Sequence, residues 1–488
     1  MNVLFIDIDT LRPDHLGCYG YHRNTSPNMD RIAASGTRFD HYYCSDAPCL
    51  PARSALTTGQ QGIHNGSIGH GGTAADLRLE GADRQFRSKL DRMSLAGSMN
   101  HAGYYTATIT PFGNRHSAWH WYAGWNEILD PAGKGGGESA EEIIPTVLDW
   151  IDRNKDRDQW FLHFNIWDPH TPYRAPEEMG NPFENDPLPD WITEEVLAEH
   201  VKTVGPHTAQ EVSMYSDYEN PNHPRQPGKI LNMDDLRRNM DGYDCGILYA
   251  DQKVGEVFAK LEEHGLFEDT MIIISSDHGE NQGELGIYGE HGTGDLITHR
   301  IPMIVKMPGQ TKAHVDSGLH YNIDLLPTLA DLNKQDHHPD WDGKSFAPAL
   351  LEQKECGHDY LVLSQCAHVL QRSVRWEDYI YIRTYHDGYH LFPDEMLFNI
   401  KEDFHEQHNL AEERPELCGK GARLLEDWHT RMMKTMDTAI DPLWTVYQEG
   451  GPLHARGNLP KYCERLEATG RGWAVPELKK RHPYEFKK

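Results

Sequence analysis

Three short apolar runs end in residues able to bind cations or move protons. Val3–Ile8 leads into Asp9-Thr10, Trp160–Trp167 into Asp168-Pro-His170, and Thr270–Ser276 into Asp277-His278-Gly279-Glu280. Carboxylates give hard oxygen ligands to a divalent cation, and imidazole gives a nitrogen ligand or a proton near neutral pH. A fourth feature, Cys49-Leu-Pro-Ala-Arg53-Ser-Ala-Leu-Thr-Thr-Gly59, sets a sulfur four residues ahead of an arginine. If Pro51 opens a helix, Arg53 lies one turn from Cys49. Taken singly, such residues have ordinary uses: a cysteine fills a small buried space, and an aspartate after a strand forms a turn. Together they predict a metal centre held by Asp9, Asp277 and His278, with His170 nearby. Asp7 faces the same side of its strand but lies one pleat deeper, which suits a structural role.

The elements that must position these residues read as an α/β fold. Glu141–Ile151 carries Ile143, Val147, Leu148 and Ile151 at helical spacing, and Asn239–His264 predicts a long helix. A helix-like stretch follows Asp14 and ends near Gly36, and Ile301–Met307 predicts a fourth strand. Apolar strands alternating with amphipathic helices imply a large, mostly parallel sheet flanked by helices. In such sheets ligands sit beyond the carboxyl ends of the strands, where the three polar clusters would meet. From about Ser364 the texture changes. Residues 373–384 and 389–400 alternate in strand fashion about His386-Asp387-Gly388, predicting a small antiparallel α+β subdomain. The expected organisation is a catalytic domain over 1–360 with a surface insertion at 176–227, a subdomain over 361–440, and an extension over 441–488.

Composition narrows the partners. The chain has 488 residues and a formal charge of −28, from 75 acidic and 47 basic side chains. That excess argues against nucleic acid or an anionic membrane surface. No run approaches the roughly 18 apolar residues of a spanning helix. The first residues lack the basic start of a signal peptide, so a cytoplasmic location is expected. Eight cysteines without metal-knuckle spacing fit a reducing compartment. The 30 histidines are a ready supply of ligands and proton carriers.

The segment with Cys49, Pro51, Arg53 and Gly59 resembles the signature of the type I, formylglycine-dependent sulfatases of the alkaline-phosphatase superfamily. Three further blocks follow in that family's order: Asn2–Asp9, Asp168-Pro-His170-Thr-Pro-Tyr, and Ser276-Asp-His-Gly-Glu. The closing Arg375–Leu410 is similar too, so the resemblance spans roughly residues 2–412. It implies that Cys49 is oxidised to formylglycine by a formylglycine-generating or anaerobic sulfatase-maturating enzyme. A thiolate attacking sulfur would end in a thiosulfate-like dead end, whereas a hydrated aldehyde has one hydroxyl to attack and one to expel sulfate. The resemblance also implies one divalent cation on Asp9, Asp277, His278 and residue 49, with Thr10 standing where the family has a second acid. Ca²⁺ is expected first, and the imidazole at His278 brings in Mn²⁺ and Zn²⁺.

Where the family has Gly-Lys-Trp-His, this chain reads Thr110-Pro-Phe-Gly-Asn-Arg115-His116, so Arg115 and His116 are the expected sulfate or substrate contacts. His291 aligns with a family lysine on the leaving-group side, Arg300-Ile-Pro is the following anchor, and His170 is the expected general acid. His64, His70 and Gly69–Gly72 are candidates for the pocket mouth. Trp119–Trp125 would either stack on a sugar or pack in the core. The expected substrate is a small sulfated carbohydrate, a glycosaminoglycan-derived mono- or oligosaccharide cut by exo-action. Because Asp277-His278 is also the pairing of the related phosphonate monoester hydrolases and choline sulfatases, phosphonate monoester or phosphodiester hydrolysis is the alternative. A binding protein in which Cys49 stays a thiol is the third reading.

Overall fold

The first strand, Asn2–Ile8, is buried along its whole length. Its apolar residues point to both faces, which requires cover on both sides. It lies near the middle of a nine-stranded sheet. Trp160–Ile166 and Thr270–Ser275 flank it in parallel, and Tyr105–Ile109 and Glu127–Leu129 extend the parallel half. On the other side Met303–Lys306 runs antiparallel to both Thr270–Ser275 and Thr37–Tyr43. His314–Tyr321 then pairs parallel to Thr37–Tyr43. The computed structural model describes residues 1–78, 86 and 88–487. Asp7 stands opposite Asn165 and Ser275, so the chain leaves the three central strands at one edge. Asp9, Asp168 and Asp277 all emerge there.

Alternation decides what covers each face. Leu4, Ile6, Leu162 and Ile272 pack beneath the helices Ala140–Asn154 and Met233–Glu263. Val3, Phe5, Phe161 and Ile273 pack against the helix that carries Cys49. The long helix begins six residues before the expected start, because the Asn232 side chain accepts from the backbone N–H groups of Asp234 and Asp235. The helix-like stretch ending near Gly36 is shorter than expected. Only Pro27–Ala33 is α-helical, after two single turns at Pro13–His15 and Gly17–Tyr19, where Pro13 and the left-handed Gly20 interrupt any longer helix. Among the described residues no helix is long and apolar enough to cross a membrane. None of the eight cysteines is paired in a disulfide.

A second sheet holds Leu361–Gln365, Leu370–Trp376, Tyr379–His386 and Glu395–Asn399 in antiparallel order. The alternation over 373–384 is therefore two strands, not one. Glu377-Asp378 turns the chain, with Glu377 at φ 44°, and lacks the Gly or Asn that ordinarily marks such a turn. Asp46–Ala47 adds a fifth, parallel strand, which ties this sheet directly to the start of the signature helix.

The C-terminal helices close over the second sheet through charge. Arg372 makes a two-pronged pair with Asp441, and Asp387 accepts from His482 at 2.8 Å and Arg481 at 2.9 Å. Burial works to raise the Asp387 carboxyl, but His482 and the Tyr389 N–H hold it down at about 2. A lowered carboxyl pKa stabilises above its ordinary value of 3.8 and loses that contribution as pH falls towards about 2. Hydrogen exchange in Val475–Arg481 is therefore expected to accelerate, relative to the sheet, between about pH 4 and about pH 2. Constant relative protection across that window would contradict the electrostatic docking.

Candidate active site

Pro48 leads into a helix over Cys49–Thr58 in which every residue is buried. Cys49 is its first residue, and Arg53 follows one turn later on the face turned to the sheet edge. The Arg53 Nε donates to Asp7 Oδ2 at 2.7 Å, and Nη1 donates to Asp9 Oδ2 at 2.9 Å and Asp277 Oδ2 at 2.5 Å. The guanidinium is fully enclosed, lying against Phe112 and Trp167. Asp7 thus anchors the arginine. Arg53 Nη2 is buried with no hydrogen-bond partner.

The helix ends at Gly59, whose φ of +67° is left-handed and whose Cβ, if present, would meet Trp341 Cδ1 at 2.5 Å. The signature glycine is thus a stop for the helix rather than a group that touches the reaction. Gly59→Ala should cost about 2–4 kcal/mol from left-handed strain and overpacking together. An unchanged urea midpoint would refute this.

Cys49 Sγ lies 3.1 Å from His278 Nε2. His278 Nδ1 donates to the Gly279 carbonyl at 2.9 Å, which leaves Nε2 with its lone pair free for a ligand. Burial, then the nearby Asp9 and Asp277 carboxylates, push the Cys49 thiol well above its ordinary value. A thiolate nucleophile is disfavoured in this setting. Burial also pushes Asp277 up to about 6, against Arg53.

These residues fit a divalent cation. One ligand atom from each of Asp9, Cys49, Asp277 and His278 lies within 4.8 Å of the others. Asp9 Oδ1 and Thr10 Oγ1 are buried without partners. Unpartnered buried oxygens beside a lone-pair nitrogen are what a cation would satisfy. The four residues named from the sequence as ligands, and Thr10 with them, stand together.

A wall of cationic and imidazole groups faces this cluster. His291 lies tilted by 36° against His278 with ring centres 4.0 Å apart, and His170 meets His291 edge-on at 5.4 Å. His291 Nε2 is 2.9 Å from Glu290 Oε1, while its Nδ1 is buried and unpartnered. Burial lowers His291 to about 4 although Glu290 opposes the shift. Burial, then Arg115, His291 and Arg174, hold His170 well below the imidazole range. Arg115 lies over the Trp167 ring at 4.6 Å and donates to the Gly136 carbonyl. His116 packs against His70 and Phe112, and burial followed by Arg115 brings it down to about 3.

Other residues named from the sequence lie elsewhere. His64 is held by Asp342 and the Met432 carbonyl, on a separate cavity of about 380 Å³ with Trp341 and Trp428. Arg300 donates to the Asp40 carbonyl and covers Phe404, on another cavity of about 550 Å³. Neither has a described contact with the cluster, so their expected substrate roles find no support in their placement. Trp121 is fully buried and Trp125 stacks on Phe161, so the aromatic cluster is largely core, with Trp119 exposed. Sequence reasoning missed Glu290 and Arg174. Each directly follows or adjoins a flagged block, and that adjacency was the available signal.

A family model described as Sulfatase matches residues 1–334. A choline-sulfatase of Rhizobium meliloti is 26% identical over 466 residues, covering 84% of this chain and 82% of its own length. A protein solved in complex with its substrate D-glucosamine-2-N,6-O-disulfate is 20% identical and superposes with a TM-score of 0.68, over 89% of this chain and 98% of its own. The phosphonate monoester hydrolase of Agrobacterium radiobacter is 18% identical with a TM-score of 0.66, over 88% and 96% of the two chains. With its mixed sheet, its signature helix and a family match over more than half its length, the chain belongs to the sulfatase family.

Proposed function

We propose that the protein hydrolyses sulfate esters of a small sulfated carbohydrate, using a formylglycine hydrate formed from Cys49. The observation that carries this reading is Cys49 at the head of a buried helix, 3.1 Å from His278, one turn before an arginine that bridges three carboxylates. In this setting the sulfur is a poor thiolate but the position is well placed for an aldehyde hydrate.

Hydration gives two hydroxyls on one carbon. The unpartnered Arg53 Nη2 and His291 Nδ1 are the groups available to hold them. One hydroxyl attacks sulfur in line with the ester bond, losing its proton to His291, and Glu290 stabilises the imidazolium. The sulfur–oxygen bond to the alcohol breaks, and the alcohol takes a proton from His170. The substrate's negative charge offsets Arg115 and Arg174, which lowers the barrier to protonating His170 before this step. The second hydroxyl then passes its proton to His170, which the leaving alcohol has left neutral, the carbon–oxygen bond to sulfate breaks with its electrons going to sulfate, the carbonyl re-forms, and His291 returns its proton to solvent. Water restores the hydrate. A divalent cation on Asp9, Asp277, His278 and residue 49, with Thr10 alongside, supplies charge neutralisation for sulfate and acidifies the attacking hydroxyl when bound. The His278 nitrogen weights the choice from Ca²⁺ towards Mn²⁺ or Zn²⁺.

A short, exo-type substrate is consistent with the C-terminal extension packing against the histidines around the cluster. His454 from the C-terminal extension stacks on His368 at 4.2 Å and lies 3.2 Å from His70. The overall charge of −28 disfavours a long polyanion. Phosphonate monoester or phosphodiester hydrolysis is the second reading, favoured by the Asp277-His278 pair. Parallel kinetics on an aryl sulfate, an aryl phosphonate monoester and a phosphodiester separate them. The sulfate should give the highest kcat/KM, and markedly higher kcat/KM on either phosphorus ester would overturn the assignment.

A further inference from the structure

We propose that His207, Glu290 and His368 form a second cation site, for a divalent transition-metal ion of the zinc class, behind the catalytic histidine. One ligand atom from each lies within 4.8 Å of the others, and all three residues are largely enclosed. His207 Nε2 is 3.1 Å from Glu290 Oε2, and His368 Nε2 is 3.6 Å from Glu290 Oε1. Tetrahedral ligands at about 2.0–2.1 Å from a zinc ion stand about 3.3 Å apart. The spacing is that of a ligand set, with a fourth position left for water or a substrate group.

The state of His207 points the same way. The residue is 8% exposed, and its Nδ1 donates to the Val212 carbonyl at 2.9 Å. That bond fixes the tautomer with a lone pair on Nε2, the arrangement found behind metal-bound histidines. Despite its closeness to Glu290, Nε2 is buried and has no hydrogen-bond partner. A lone pair and a carboxylate oxygen facing each other repel unless a proton or a metal ion lies between them. The face-to-face stack on His454 orients His368.

The three residues come from separate parts of the chain: the 176–227 segment, the strand Tyr288–Glu290, and the loop after Leu361–Gln365. Glu290 is shared, since its Oε1 also holds His291 at 2.9 Å. A cation here would draw carboxylate charge away from the proton carrier. The site itself does not depend on the sulfatase reading, because its test counts metal rather than turnover.

Full-length protein stripped with a chelator and dialysed against Zn²⁺ should retain two equivalents by elemental analysis. Asp277→Asn should keep one, and the double variant His207→Gln, His368→Gln should also keep one. A wild-type protein holding a single equivalent that Asp277→Asn removes would overturn the site. So would a double variant that retains both. Anomalous scattering at the zinc edge from wild-type crystals needs no variant, and should show a peak between His207, Glu290 and His368. Its absence at full occupancy of the Asp9–Asp277–His278 site would refute the proposal.

Discussion

Cys49→Ala is expected to lower kcat/KM on an aryl sulfate by about ten-thousandfold or more, because it removes the attacking group. The side chain is 1% exposed within the apolar cluster that includes Leu50, Trp167 and Ile301, so a methyl group leaves the helix packed and the fold intact. Far-ultraviolet spectra and the urea midpoint should therefore change little. Cys49→Ser is the sharper variant. A single hydroxyl can attack sulfur but has no second hydroxyl to drive sulfate off. The serine enzyme should undergo one turnover and stop, with residue 49 about 80 Da heavier as a sulfate ester. Steady multiple turnover by the serine enzyme would show that the second hydroxyl is dispensable.

Arg53→Ala is expected to cost about 3–5 kcal/mol of stability, the penalty for removing one partner of a buried ionic network. Asp7, Asp9 and Asp277 would be left facing one another with the guanidinium gone. Arg53→Lys keeps the charge but not the fork, so it cannot serve Asp7 and both cation ligands together. It should recover part of the stability but little of the activity. Adding Asp7→Asn to Arg53→Ala should restore stability beyond the sum of the single changes, since the carboxylate anchored by Nε no longer needs a partner. Strict additivity across that cycle, read from urea denaturation, would show that Asp7 and Arg53 are not coupled.

Much of the site was legible because it is written locally. Each ligand cluster lies immediately after an apolar strand, and the parallel register does the rest by bringing those strand ends to one edge. The spacing of Cys49 and Arg53 is likewise a within-helix relation that four residues settle. Less legible were residues whose neighbours come from far along the chain. His64 follows the signature helix closely, yet the left-handed turn at Gly59 and the Asp342 carboxylate take it to another cavity. Arg300 begins a strand antiparallel to Thr37–Tyr43, and that pairing sets its guanidinium on the Asp40 carbonyl. Glu290, His207 and His368 meet only through tertiary packing, and no spacing in the sequence announces it. The tight turn at Glu377-Asp378 is hidden in the sequence because the connection is only two residues long and carries neither Gly nor Asn.

Residue 49 is proposed to act as an aldehyde hydrate and not as a thiol. The most direct test is the mass of the proteolytic peptide carrying residue 49, taken from protein purified from its native host and active on a sulfate ester. Formylglycine predicts a peptide about 18 Da lighter than the cysteine form, shifting further with a carbonyl-specific hydrazide label. A fully active preparation whose peptide carries only the unmodified thiol would contradict the account.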